Sequence, residues 1–447
     1  MADISFICKR TAVSTKAVQP GKFHQLSVFD RAMESNHIRM VYYYRSQIDR
    51  EPGEMTKILR ERFAEMLTSY PIVTGRLHRN EKGHWMIKCN DAGVRMVEAR
   101  AKGSVEEWLE NVDSEKELKL AHWEEMFHRP YFWSTFYVQL TEFEEGGLAV
   151  GLSCTHLLAD PISATVFVKA WADISLTGKM VKPPLFHPLP PRRPSNGDQN
   201  HNHHTQAVNF HKSSTNDSTT PNPVQHSTIT LEFSDRMVRV CIAMAQSISS
   251  APNEPSPSPF EALAGLFWVC VSRVKGKKNG LIDMSICSDM RKVLNLDQGF
   301  FGNCMVYSKV NGEGLRQVTL SKAAMAIRNV LEKIDIEAIN DLIESLERKD
   351  DQTLSQINSH DLICAKLDHM DPYMAIFERG MELMRVSYYI KPVSENGQVL
   401  ILPAPKGGDG PFSRMVMVTL AKDEVSKLCE DCHILHFSPT IRMGAKK

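Results

Sequence analysis

The chain has 447 residues, 42% of them hydrophobic and 24% charged, with 53 Lys and Arg against 53 Asp and Glu. This is the composition of a folded protein with apolar material for two cores, and it excludes wholesale disorder, collagen and disulfide scaffolds. Zero formal net charge argues against a nucleic-acid or basic membrane-surface partner, which requires an excess of one sign.

In chain order, Met1 to Arg10 has no apolar core, so no signal peptide is visible. Met55 to Leu67 places Ile58, Leu59, Phe63, Met66 and Leu67 at helical spacing, and Tyr70-Pro71 ends that helix. Leu148 to Thr155 reads as a buried strand. Asp160-Pro161 reads as the start of a helix, Asp as N-cap and Pro at the first helical position, with Val166, Phe167, Ala170 and Trp171 on its apolar face. From Pro183 to Ser227 the chain is rich in Pro, Asn, His, Ser and Thr, the mark of an exposed crossover. Pro252 to Pro259 is a Pro/Ser loop, and Glu261 to Val274 is a helix nearly apolar all round, hence buried. Glu332 to Asp350 reads as a solvated helix face, and Gln398 to Leu402 and Met415 to Leu420 as strands.

These elements predict an α/β or α+β chain of two lobes, residues 1–182 and 228–447, joined by a flexible linker over 183–227. The longest apolar run, Ala262 to Val271, is too short for a transmembrane helix, which needs about 20 residues. Ten widely spaced cysteines suit reduced thiols, so the expected location is cytoplasmic.

One constellation reads as chemistry. Of seventeen histidines only His156 has an aspartate four residues on, Asp160, and it stands where a strand ends and a helix begins. A side chain on such a turn can face a cleft, and imidazole titrates near neutral pH, so it suits a general base toward a hydroxyl or amine. The bland alternative is a satisfied structural histidine, with Asp160 turned away as a helix cap. Ser153 and Cys154 are strand core, because Gly151-Leu152-Ser153-Cys154-Thr155 lacks the final Gly of a nucleophile elbow.

His156 to Asp160 stands among several other blocks in a fixed order. They are Leu26-Ser27-Val28-Phe29-Asp30, Val41-Tyr42-Tyr43-Tyr44, Ser69 to Leu77, Cys89 to Val94, Pro259 to Trp268, Asp289-Met290-Arg291 and Gly299-Phe300-Phe301-Gly302-Asn303. Together they resemble the plant BAHD, or HXXXD-type, acyltransferases. The resemblance implies an α/β, two-lobed, chloramphenicol-acetyltransferase-like fold with mixed sheets, a monomer with acyl-CoA as co-substrate, no bound cofactor and no metal. It implies that His156 deprotonates a hydroxylated acceptor, that Asp160 is mainly structural and pairs with Arg291, and that Gly302 and Asn303 give structural support.

The family's second hallmark, Asp-Phe-Gly-Trp-Gly, is absent; Phe377 to Leu383 stands in its place with a single glycine. That loss resembles the eceriferum-2-like branch, whose relatives include brassinosteroid acyltransferases. Two functions follow. The first is acyl transfer to a hydroxyl of an apolar plant metabolite, brassinosteroid-type among the candidates. The second is a non-catalytic accessory of very-long-chain fatty-acid elongation in wax synthesis, with a ketoacyl-CoA synthase partner at the cytosolic face of the endoplasmic reticulum.

Other signals are weaker. Cys429-Glu430-Asp431-Cys432-His433 matches a c-type haem attachment string, with His436 nearby, but no export signal or other haem feature accompanies it; a zinc site from Cys429, Cys432, His433 and His436 would need four ligands on one short loop. His201, His203, His204 and His211 belong to the linker, and Gly407-Gly408-Asp409-Gly410 lacks the Lys-Ser/Thr of a phosphate loop.

Overall fold

The computed structural model describes residues 4–17, 21–46, 48, 50–125, 129–190, 225–246, 255–297, 299–313, 315, 318–348, 360–405 and 410–444. The four linker histidines, Gly407 to Asp409 and most of the 183–227 crossover lie outside them. The chain divides into two compact units. The first holds residues 1–189, 296–304 and 371–392; the second holds 190–295, 305–370 and 393–447.

The first unit is built on β1 (Ile4–Ala12), β2 (Phe23–Gln25), α1 (Val28–Arg31), β3 (His37–Ser46), α2 (Glu54–Leu67), β4 (Arg76–Arg79), β5 (Trp85–Lys88), β6 (Val94–Ala101), α3 (Val105–Asn111), α4 (Ser114–Glu117), β7 (Phe136–Phe143), β8 (Leu148–Thr155), α5 (Pro161–Thr177) and, from far along the chain, β13 (Met381–Lys391). Its main sheet runs β1-β6-β7-β8-β3-β13, with β6 and β7 parallel and the other neighbours antiparallel; β2, β5 and β4 form a small second sheet.

Every residue of β8 is buried, because both faces of the sheet are covered. On one face α5 and α2 pack together: Phe167 meets Phe136 of β7 and Phe63 of α2, and the Trp171 indole donates to the Leu59 carbonyl. The other face is closed by α3, α4 and the 3-10 turn Leu118–Leu120. There the Gln139 amide donates to the Lys119 carbonyl and the Trp108 indole to the Tyr43 hydroxyl.

The turn lies so close to β8 that a Cβ on Gly151 would come within 1.9 Å of the Leu120 carbonyl oxygen. Gly151→Ala therefore forces the turn off the sheet. The expected cost is at least about 2 kcal/mol, seen as a loss of several degrees in thermal denaturation. An unchanged midpoint would contradict this packing.

The second unit holds β9 (His226–Phe233), α6 (Asp235–Ala245), α7 (Pro259–Val274), β10 (Met284–Asp289), β11 (Met305–Val310), α8 (Leu320–Leu331), α9 (Ile336–Glu347), β12 (Leu362–Lys366), β14 (Gln398–Pro403), β15 (Arg414–Ala421), α10 (Lys422–Cys429), α11 (Cys432–Phe437) and β16 (Thr440–Met443). Its mixed sheet runs β11-β10-β12-β14-β15-β9-β16. Helix α7 starts at Pro259, with Ser258 and Glu261 forming a capping box, and buries Phe260 and every residue from Ala262 to Ser272. No helix among the described residues is long and apolar enough to cross a membrane.

Two sequence expectations change. Residues 296–304 and 371–392, assigned by chain order to the C-terminal lobe, belong to the first unit, and β13 closes the edge of its sheet, pairing from Met381↔Ser46 to Lys391↔His37. Strand periodicity reports burial, not which sheet a strand joins. Within the stretch 332–350 the described residues 332–348 are not one solvated face: Asp335 caps α9, which buries Ala338, Ile339, Leu342 and Leu346.

Candidate active site

β8 delivers the chain to His156, whose backbone N–H donates to the Asn36 carbonyl at 2.8 Å. Asp160 then caps α5. One of its carboxylate oxygens accepts from the Ser163 N–H at 2.8 Å, the other from the Cys304 N–H at 2.9 Å. The Asp160 carboxylate thus accepts from backbone donors of two segments and ties the 302–304 stretch beside the helix start. Ser163 adds a second tie, its hydroxyl donating to the Gly302 carbonyl at 2.9 Å and accepting from the Gly302 N–H at 3.1 Å. Gly302 has φ +152°, a conformation open to glycine and rarely to other residues.

Asn303 is the hub. Its Oδ1 lies 2.7 Å from His156 Nδ1, and its Nδ2 donates to the His156 carbonyl at 2.6 Å and to Asp30 Oδ1 at 2.8 Å. Asp30 Oδ1 also accepts the Asn303 N–H at 2.9 Å, while Asp30 Oδ2 accepts from Ser27, completing the capping box of α1. Both amide protons of Asn303 are therefore committed to acceptors, which fixes the orientation of the amide. Oδ1 can only accept, so His156 Nδ1 carries the proton and Nε2 keeps the lone pair.

His156 is buried, and burial pushes its imidazole below the ordinary value; Asp160, Asn303 and Asp30 pull the other way.

His156, Asp160, Gly302 and Asn303 thus come together within the first unit. Arg291 belongs to the second unit, where Nη1 donates to Asp289 at 2.9 Å. Asp30 and Ser163 are the functional neighbours that sequence reasoning missed. The Ser27-x-x-Asp30 spacing was a legible capping signal, but nothing local ties Asp30 to a residue 273 positions away.

At the place of the absent motif, Phe377 packs edge-on against Tyr44 and Trp171, Glu378 pairs with Arg50, and Gly380 turns into β13 with φ +89°. Among Asp431, Cys432 and His433, the Arg273 Nη1 lies 2.6 Å from the carboxylate, 3.4 Å from Sγ and 3.1 Å from the imidazole Nδ1. A guanidinium already answers this donor set, so the cluster does not suit a metal cation. All ten cysteines are free thiols.

Residues 3–435 match the family described as the Transferase family. The chain belongs to that family, the BAHD acyltransferases. It is 25% identical to Protein ECERIFERUM 26-like of Arabidopsis thaliana, over 92% of this chain and 90% of that one. It is 26% identical to Brassinosteroid-related acyltransferase 1 of the same plant, over 72% and 76%. Among solved structures it resembles vinorine synthase, with a TM-score of 0.73 at 17% identity over 98% of this chain and 100% of that one, a likeness of fold.

Proposed function

We propose that the chain is an acyl-CoA-dependent O-acyltransferase in which His156 is the general base toward a hydroxyl of a largely apolar acceptor, brassinosteroid-type among the candidates. The observation that carries this reading is the commitment of both Asn303 amide protons, which leaves Nε2 as the basic nitrogen of a buried, neutral imidazole. Nε2 takes the acceptor's proton as its oxygen attacks the thioester carbonyl carbon. The tetrahedral oxyanion collapses, the C–S bond breaks, and the proton passes to the departing CoA thiolate. The step uses no covalent enzyme intermediate.

Asn303 is a positioning residue that holds the tautomer. Asp160 holds the turn and, as the family resemblance implies, pairs with Arg291. The absence of Asp-Phe-Gly-Trp-Gly, together with the likeness to Protein ECERIFERUM 26-like, favours a second reading: an elongation accessory working beside a ketoacyl-CoA synthase at the cytosolic face of the endoplasmic reticulum.

The first reading is tested by acceptor-dependent CoA release across pH. The lowered imidazole pKa keeps the base unprotonated below pH 6.5, so the acid limb of kcat/KM should fall below that ordinary value. Asn303→Ala should reduce kcat by roughly 10- to 1000-fold through loss of tautomer control. Because the Asn303 hydrogen bond raises the imidazole pKa, its removal should also move the acid limb to still lower pH. A merely structural role would leave the limb in place.

A further inference from the structure

A cavity of about 380 Å³ lies in the first unit, lined by Ser35, His37, Arg39, Leu118, Glu125 and Lys391 among others. The sheet register explains its charge. His37 is paired with Lys391 on β13 and with Thr155 on β8; Arg39, two residues on, is paired with Tyr389 and Ser153. Side chains two apart on one strand, and opposite across neighbouring strands, share one face within roughly 5–7 Å. Three nitrogen bases therefore crowd one sheet face, beside the residue whose neighbour, Asn36, holds the His156 backbone.

The crowding is felt. Burial pushes His37 down to about 4, helped by Arg39, Lys391 and His156; Lys391 is lowered by burial and by Arg39. The acid lining this cavity is Glu125, which is exposed and 3.7 Å from His37 Nδ1. Among the described residues neither the Arg39 nor the Lys391 side chain makes a hydrogen bond or a close ion pair; Arg39 Nε is buried with no partner, and Glu125 acts on Arg39 only from a longer distance. Two half-buried cations without fixed acceptors are costly to hold in a fold, and a bound anion removes that cost.

We propose that this cavity binds a carboxylate carried by the acceptor, with Arg39 and Lys391 as its counter-ions. The inference rests on the transferase reading and narrows it: the acceptor is a hydroxy acid with an apolar body, which sets aside neutral sterols. An exposed Glu125 at the rim adds repulsion toward acids that do not reach both cations.

The test titrates the full chain with 16-hydroxyhexadecanoate and with its methyl ester, by calorimetry and by NMR of the His37 ring. The acid should bind at least about 10-fold more tightly than the ester, as expected for charge-assisted hydrogen bonds, and should raise the His37 pKa. Arg39→Gln and Lys391→Met should each erase most of that preference. The acid–ester comparison on the unaltered chain needs no variant to fold. Equal binding of acid and ester, or an undiminished preference in the double variant, would overturn the proposal. So would a preference that follows the acyl group instead, malonyl-CoA over acetyl-CoA lost in Arg39→Gln. Carboxylate-selective binding without turnover would count against the transferase reading and leave the site standing. Turnover of neutral acceptors alone would do the reverse.

Discussion

His156→Ala should abolish acceptor-dependent CoA release, with kcat/KM falling by about 10²- to 10⁴-fold, the range for removal of a positioned general base. Nε2 is the one nitrogen of that ring left to accept a proton, because Nδ1 is committed to Asn303 Oδ1 at 2.7 Å. The truncation also leaves Asn303 Oδ1 short of a donor in a buried setting, at a cost of about 1–3 kcal/mol, so the variant should melt earlier and yet remain folded. CoA release retained at wild-type rate would remove His156 from the chemistry. The same variant separates the two functions. An elongation accessory supplied with a ketoacyl-CoA synthase should support chain lengthening equally well with His156 or Ala at this position, whereas the transferase should be dead.

The second large effect is on stability. Glu117, on the short α4, is fully buried, and its carboxylate collects three side chains from β13: Arg385 at 2.5 Å, Ser387 at 3.0 Å and the Tyr389 hydroxyl. The Arg385 guanidinium also lies over the Tyr43 ring, 5.0 Å from its centre. Removing Glu117 leaves a buried arginine without its counter-charge, and breaking such a pair costs about 3–5 kcal/mol. Glu117→Ala should therefore lower the denaturant midpoint strongly and loosen β13 from the sheet. Glu117→Gln should fall between the two, since it keeps the shape and loses the charge. The double variant Glu117→Leu/Arg385→Met should recover most of the loss, because neither charge is then stranded. A single variant within about 1 kcal/mol of wild type would contradict the buried-pair account.

Both effects run through contacts between residues far apart in the chain, and this marks what local sequence can carry. Neighbouring residues alone specify the elements and their chemistry. Leu148 to Thr155 is apolar enough to be covered on both faces, Asp160-Pro161 carries the signature of a helix start, and Ser258-Pro259 opens a helix that can only be buried. Each of these is set by side chains within a few positions of one another, where propensity, capping and periodicity act. His156 as the candidate base was also legible, because it stands at the junction of two such elements.

The remaining features arise from contacts between distant segments. That β13 joins the first sheet depends on which edge was free to pair, not on its own pattern. That the Asp160 carboxylate meets the Cys304 N–H as well as its own helix start depends on where the 302–304 stretch arrives. The tautomer of His156 depends on Asn303, 147 residues away, and through it on Asp30. Hydrogen bonds of this kind act over about 3 Å, and the sequence holds no record of distance between segments that meet only when the chain folds.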